Sequence, residues 1–293
     1  MFTMRRAFAT VANDLLETNP DVAFAVADIG AGDFPVSDRV INVGIREQGL
    51  IGAVAGLALS GLRPFAHSYA PFLVERPFEQ IKLDLGHQNL GAVLVSIGAS
   101  FDAAPEGRSH QAPGDVALLA SLPGWTIQVP GHPLEVEEMM RSAANRDDRT
   151  YLRLSADSNA QPQPVTRSLK RIREGSARAA TVIAVGPMLD PVLDAVHDLD
   201  VTVLYASTVR PFDGEGLARA VRGDGIVLVE PYNQGTSAAE VTSALTDRPI
   251  RLLSIGVQNI EHRRYGTRHH HAEAHGLDSA SMRDRIATFL RAA

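Results

Sequence analysis

Residues able to do chemistry are concentrated in a few stretches of the 293-residue chain. The densest is Asn42-Val43-Gly44-Ile45-Arg46-Glu47-Gln48-Gly49, which joins an expected short strand to an expected helix. Glu47 falls in the first helical turn, where the helix dipole favours a carboxylate whatever else that group does. The helix is rich in small residues, Gly49, Gly52, Ala53, Ala55 and Gly56, which permit close approach of another surface. Asp28 is a second candidate. It follows the apolar run Val22–Ala27, at the carboxyl end of an expected strand, where open parallel sheets bind their ligands.

Other groupings carry less. Gly30-Ala31-Gly32 follows a strand, but a dinucleotide fingerprint needs a third glycine where Pro35 stands. Arg222-Gly223-Asp224-Gly225 precedes its strand rather than following one, so it reads as a tight turn, not a metal-diphosphate site. Arg268-His269-His270-His271 with His275 offers an i, i+4 histidine pair that a helix could aim at a metal. No acid or cysteine set completes it, so no metal ligand is expected in this chain and the stretch reads as an exposed polar loop. Ser68 and Ser109 sit beside His67 and His110, but no Gly-x-Ser-x-Gly elbow exists to make a nucleophilic triad.

The elements that must position these residues alternate. Strand-length apolar runs at 22–27, 39–43, 63–68, 91–97, 126–129 and 151–154 are separated by helical spacing at 4–16, 47–60, 77–85, 113–122 and 133–144. Such alternation means a mostly parallel sheet covered by helices on both faces. Residues 155–173 are polar and include Pro162 and Pro164. A second series follows, with strands at 180–185, 201–206, 225–230 and 250–255 and a last helix at 279–290. The fold class expected is α/β, two doubly wound domains with mostly parallel sheets: 1–157, a linker 158–174, and 175–293.

Composition narrows the function. Net charge is −6, no basic block stands out, and aromatics make up 5%, so nucleic acid is not expected as a ligand. The weakly polar stretch 49–62 is shorter than the roughly 18–20 residues of a membrane span. Cysteine is absent, which removes disulfides and thiolate chemistry and makes the cytoplasm the default location.

Together these motifs resemble the transketolase family. Arg39-Val40-Ile41-Asn42-Val43-Gly44-Ile45-Arg46-Glu47-Gln48 is similar to the signature of its pyrimidine-binding domain. Gly61-Leu62-Arg63-Pro64-Phe65, Ser68-Tyr69-Ala70-Pro71-Phe72 and Gly107-Arg108-Ser109-His110-Gln111 follow at family spacing. Val182–Met188, Val209-Arg210-Pro211-Phe212-Asp213 and Ile226–Glu230 are similar to its C-terminal domain. The resemblance implies a thiamine diphosphate-binding fold pyrimidine domain plus a transketolase C-terminal-like domain. It leaves out the family's diphosphate-binding domain. It therefore implies the C-terminal subunit of a split transketolase, with a separate N-terminal partner that holds the diphosphate through Mg2+, in an α2β2 assembly.

What the resemblance implies for the site follows. Thiamine diphosphate would do the hard chemistry and the protein would orient and tune it. Glu47 matches the catalytic glutamate that steers protons through the aminopyrimidine, with burial expected to raise its pKa towards neutrality. Phe72 matches the aromatic stacked on the pyrimidine, Tyr69 lines the same pocket, and Asp28 matches an acid near the cofactor. His110 matches a histidine that contacts substrate hydroxyls or developing charge. Arg5 matches an arginine that binds a sugar phosphate. Glu106 stands where the family has an aspartate for a sugar hydroxyl, and Arg108 replaces a proline. After strand 151–154 the chain reads Ser155-Ala156-Asp157 where many relatives have a phosphate-binding arginine; Arg108 is the expected substitute, in the same pocket. The implied reaction moves a two-carbon ketol unit from a ketose or its phosphate to an aldose. Deoxyxylulose-phosphate synthase-like chemistry, a 2-oxo acid dehydrogenase beta subunit and a non-catalytic partner that kept the fold remain alternatives.

Overall fold

The computed structural model describes residues 2–263 and 265–292; Met1, Arg264 and Ala293 lie outside them. The first half runs α1 (Met4–Thr18), β1 (Val22–Val26), β2 (Val40–Asn42), α2 (Glu47–Leu59) and β3 (Arg63–Tyr69). A helical stretch follows over 71–87, with α3 (Phe78–Gln80) between wide π-type turns at Pro71–Glu75 and Ile81–His87. Then come β4 (Ala92–Ile97), α4 (Asp115–Ala120), β5 (Trp125–Gln128), α5 (Pro133–Ala144) and β6 (Arg149–Arg153). The second half holds β7 (Lys170–Arg173), β8 (Ala180–Val185), α6 (Leu189–Ala195), β9 (Val201–Ala206), β10 (Thr208–Arg210), α7 (Gly214–Ala220), β11 (Gly225–Asn233), α8 (Ala238–Ala244), β12 (Arg251–Val257), α9 (Arg268–His275) and α10 (Ser279–Arg291).

Among the described residues two sheets form, in the orders β10-β5-β6-β4-β3-β1-β2 and β12-β11-β8-β9-β7. The neighbours from β2 through β5 in the first sheet, and from β12 through β9 in the second, pair in parallel. β1, β4 and β8 are buried at every residue, as strands covered by helices on both faces must be. The apolar faces of α1 and α5 pack together over one face of the first sheet, with Phe8, Val11, Leu15, Val136, Met139 and Met140 in a shared core. Thr3 starts α1 by accepting the N–H of Arg6 at its hydroxyl. The fold class is as expected: mixed α/β with two mostly parallel sheets.

Two edges were not legible. β10 belongs to the second half in sequence but pairs antiparallel with β5, so it completes the first sheet. β7 pairs antiparallel with β9. Residues 170–173 of the expected linker are therefore strand. The rest of that segment is tied to both halves. Asn159 is buried; its N–H donates to Gly131 O at 2.8 Å and its side-chain amide to Gly186 O at 3.0 Å. Glu135 on α5 accepts from Tyr205 on β9 at 2.5 Å and from the N–H of Gln163 at 2.8 Å. Burial raises the Glu135 carboxyl above the usual range against these hydrogen bonds.

The helix expected at 77–85 instead lies within a helical stretch over 71–87, because π-type turns at Pro71–Glu75 and Ile81–His87 extend the winding on either side of Phe78–Gln80. Such turns place side chains off the regular α spacing and are frequent at functional sites.

Candidate active site

The carboxyl ends of β1, β3 and β4 point the same way and deliver Asp28, Tyr69 and the loop after Ile97 to one end of the sheet. Glu47 opens α2, with Arg46 as N-cap. Although it carries a carboxyl group, it is 1% exposed. Its Oε2 accepts from Arg76 Nη1 at 2.6 Å. Its Oε1 is buried with no hydrogen-bond partner among the described residues. A buried carboxylate oxygen without a partner is costly, and such groups go with a bound water, an ion or a catalytic role.

Arg76 ties Glu47 to an aromatic group. Its guanidinium lies 4.2 Å from the centroid of the Phe72 ring, one helical turn earlier. Phe72 meets His110 edge-on at 4.9 Å and Tyr69 at 6.2 Å, and Tyr69 meets His110 at 5.6 Å. The His110 Nδ1 lies 3.0 Å from the Ser109 hydroxyl. Glu47, Tyr69, Phe72 and His110, four of the residues singled out in the sequence, are thus linked through near-neighbour contacts.

Tyr69 also lines an adjoining cavity of about 500 Å3 with Thr3, Arg5, Asp102, Glu106 and Arg268. A Cβ on Gly98, whose φ is +71°, would run into the Tyr69 ring, so glycine is what allows this tyrosine its place. Arg5 pairs with Asp33 at 3.3 Å and Arg268 with Asp157 at 3.0 Å. Burial pushes the Asp102 carboxyl up to about 7, opposed by the Ala156 N–H that donates to it at 2.8 Å.

Other expectations are revised. Arg108 does not share the Arg5 cavity. It pairs with Glu261 at 3.1 Å and lines a separate cavity with Glu75, Gln111 and Asn233. The arginine opposite Arg5 is Arg268, from the second half. Asp28 is exposed, has a left-handed backbone (φ +65°), and is held by Asn42, whose side-chain amide donates to its Oδ1 at 3.1 Å; it lines neither cavity. The stretch 268–275 is a helix, not an exposed loop. His271 and His275 are buried and stack on Phe101 at 5.7 and 5.8 Å. Among the described residues no group of three or more His, Cys, Asp or Glu could hold a metal.

Sequence reasoning missed Arg76, Asp102 and Arg268. Arg76 had a local signal, its i, i+4 spacing from Phe72. Asp102 and Arg268 had none, because a loop and a second-half helix bring them together.

The donor set fits the pyrimidine end of thiamine diphosphate. Glu47 Oε1 offers a buried oxygen to a ring nitrogen, and Phe72, only partly buried, offers a ring to stack on. Residues 1–160 match the model of the transketolase pyrimidine binding domain, and residues 169–282 that of the transketolase C-terminal domain. An uncharacterized 33.6 kDa protein in the fasciation locus of Rhodococcoides fascians is 48% identical over 98% of this chain and 95% of its own length. A subunit of the apulose-4-phosphate transketolase of Actinobacillus succinogenes is 30% identical over 86% of this chain and 84% of its own. A solved structure described as "Split gene transketolase, inactive beta4 tetramer" superposes with a TM-score of 0.83 at 25% identity, covering 99% of this chain and 98% of that one. This chain belongs to the transketolase family.

Proposed function

We propose that this chain is the C-terminal subunit of a heteromeric, thiamine diphosphate-dependent transketolase. It transfers a two-carbon ketol unit from a ketose or ketose phosphate to an aldose. The observation that carries this reading is the buried Glu47, with one oxygen on Arg76 and the other unpaired, beside Phe72, Tyr69 and His110. The cofactor, when bound, supplies a nucleophilic carbon and its own proton acceptor.

The chain's residues bind and orient. Glu47 Oε1, buried and unpaired, would meet a pyrimidine ring nitrogen. Phe72 and Tyr69 would flank the ring, and Asp28 lies at the same carboxyl end of the sheet, outside both cavities. The Ser109 hydroxyl at Nδ1 fixes the His110 ring, which leaves Nε2 to meet a substrate hydroxyl. Arg5, Glu106 and Arg268 grip the far end of the sugar in the 500 Å3 cavity. Arg108, with Glu261, stays in the separate cavity beside Gln111 and Asn233.

We further infer a separate diphosphate-binding subunit that holds Mg2+, in a cytoplasmic α2β2 assembly. The description of one relative as a transketolase subunit, and of another as an inactive β4 tetramer from a split gene, supports this reading. So does the exposed glycine face of α2, Gly49, Gly52 and Gly56, which suits close packing against another chain. Among the described residues no helix is long and apolar enough to cross a membrane.

The test is reconstitution. The chain is mixed with a diphosphate-binding subunit, thiamine diphosphate, Mg2+, a ketose phosphate and an aldose acceptor. Aldehyde release and transfer are expected from the mixture and from neither subunit alone. Undiminished turnover by the Glu47→Gln mixture would sink the reading.

A further inference from the structure

The loop that carries Glu106, Arg108 and His110 belongs to the first half, yet both of its ends are held by the second. At one end the Ser100 hydroxyl donates to Pro231 O at 2.5 Å. At the other the Asn233 N–H donates to Pro113 O at 2.9 Å. The Ala112 N–H closes the neck of the loop on Ser100 O at 3.0 Å. Pro231 to Asn233 is the far end of β11, where its pairing with β12 shifts register. The loop therefore docks on backbone that this irregularity turns away from the regular ladder.

Ser100 is over-determined. It is 4% exposed and has φ +49°, a strained backbone for any residue but glycine. Its hydroxyl accepts from Arg153 Nη2 at 2.7 Å while it donates to Pro231. Arg153 in turn has no freedom. Its Nε donates to Asp115 Oδ2 at 2.7 Å, and the Tyr151 hydroxyl donates to the same oxygen at 2.7 Å. Its guanidinium lies 5.4 Å from the Tyr232 ring centroid. Arg153 and Asp115 are 1% and 0% exposed, so the pair lies in a low-dielectric core where a broken contact cannot be replaced by water.

We propose that Ser100, aimed by Arg153 and Asp115, is a positioning residue that registers the 100–112 loop on the C-terminal half and so sets where His110 and Glu106 stand. The second half contributes few groups to the site. Its β11 acts as the template for the loop that contributes most. At that place the hydroxyl, and not just a permissive backbone, is used: it bridges Arg153 and Pro231.

Ser100→Gly separates this role from a merely structural one. Glycine relieves the positive φ but removes the hydroxyl from Arg153 and Pro231, so opposing effects act on the melting temperature, which should shift by no more than a few degrees. Amide hydrogen exchange of residues 101–111 should nevertheless speed up in the free chain, by roughly tenfold or more. In the reconstituted enzyme kcat should fall by roughly 10- to 100-fold, as a misplacement near 1 Å allows. Arg153→Lys keeps a charge on Asp115 but cannot reach Asp115 and Ser100 together, and should show the same exchange and kcat effects. Wild-type exchange over 101–111, or wild-type kcat, in both variants overturns the proposal. The activity arm rests on the transketolase reading. If the wild-type mixture transfers nothing, that reading fails, and the exchange arm still decides this one.

Discussion

Arg76 donates to Glu47 across 2.6 Å while its guanidinium lies 4.2 Å from the Phe72 ring centroid. The residue that holds the buried carboxylate thus also holds the aromatic beside it.

Glu47→Gln keeps the shape and removes the acid. Transfer by the reconstituted enzyme is expected to fall by roughly 10²–10⁴-fold, the range for losing a positioned proton-transfer group. Circular dichroism and the melting curve should stay close to wild type. Steady-state kinetics on the assembled enzyme measures this.

Arg76→Met leaves Glu47 Oε2 buried without its donor. The cost is expected at about 1–3 kcal/mol, towards the low end because Arg76 is itself partly exposed. Urea unfolding of the free chain reads it. Phe72 also loses its cation, so KM for thiamine diphosphate should rise.

Gly98→Ala places a methyl group on a left-handed backbone and against Tyr69. A loss of about 1–2 kcal/mol is expected from the backbone alone. Displacement of Tyr69 should raise KM for the sugar more than it lowers kcat. Thermal melts and substrate titrations separate the two effects.

His67 is fully buried, its Nδ1 2.9 Å from Val95 O and its ring stacked on Phe8 at 4.2 Å. Burial holds its pKa down at about 4, from an ordinary 6.5. The unfolded chain therefore binds a proton between those values that the folded chain refuses. Its titration leaves the fold unaffected well above pH 6.5 and progressively destabilises it as pH falls towards 4. Relative to His67→Phe, wild type should lose about 2 kcal/mol between pH 6.5 and 4.5. Urea midpoints of both proteins at the two pH values check it, and the comparison cancels the opposite trends of Asp102 and Glu230, whose carboxyls burial raises to about 7.

The strands with continuous apolar runs, Val22–Val26, Ala92–Ile97 and Ala180–Val185, were legible because parallel strands covered on both faces need such runs. The short edges at Thr208–Arg210 and Lys170–Arg173 were not. Each is three or four residues long, and its partner lies in distant sequence. The helix at 268–275 was hidden because buried histidines read as polar. Their burial comes from Phe101, far away in the chain.

Of the candidate site, Glu47 stood out by its own place at a helix start, while Phe72, Tyr69 and His110 were named through short motifs that resemble the transketolase family. Those motifs are contiguous stretches of a few residues, so the sequence displays them directly. Only the tertiary structure decided that Arg268 and not Arg108 faces Arg5, that Arg76 holds Glu47, and that Ser100 is fastened to Pro231. Those pairings join elements that lie far apart along the chain. Sheet order and packing fix such pairings, and no periodicity along the chain encodes which side chains will meet.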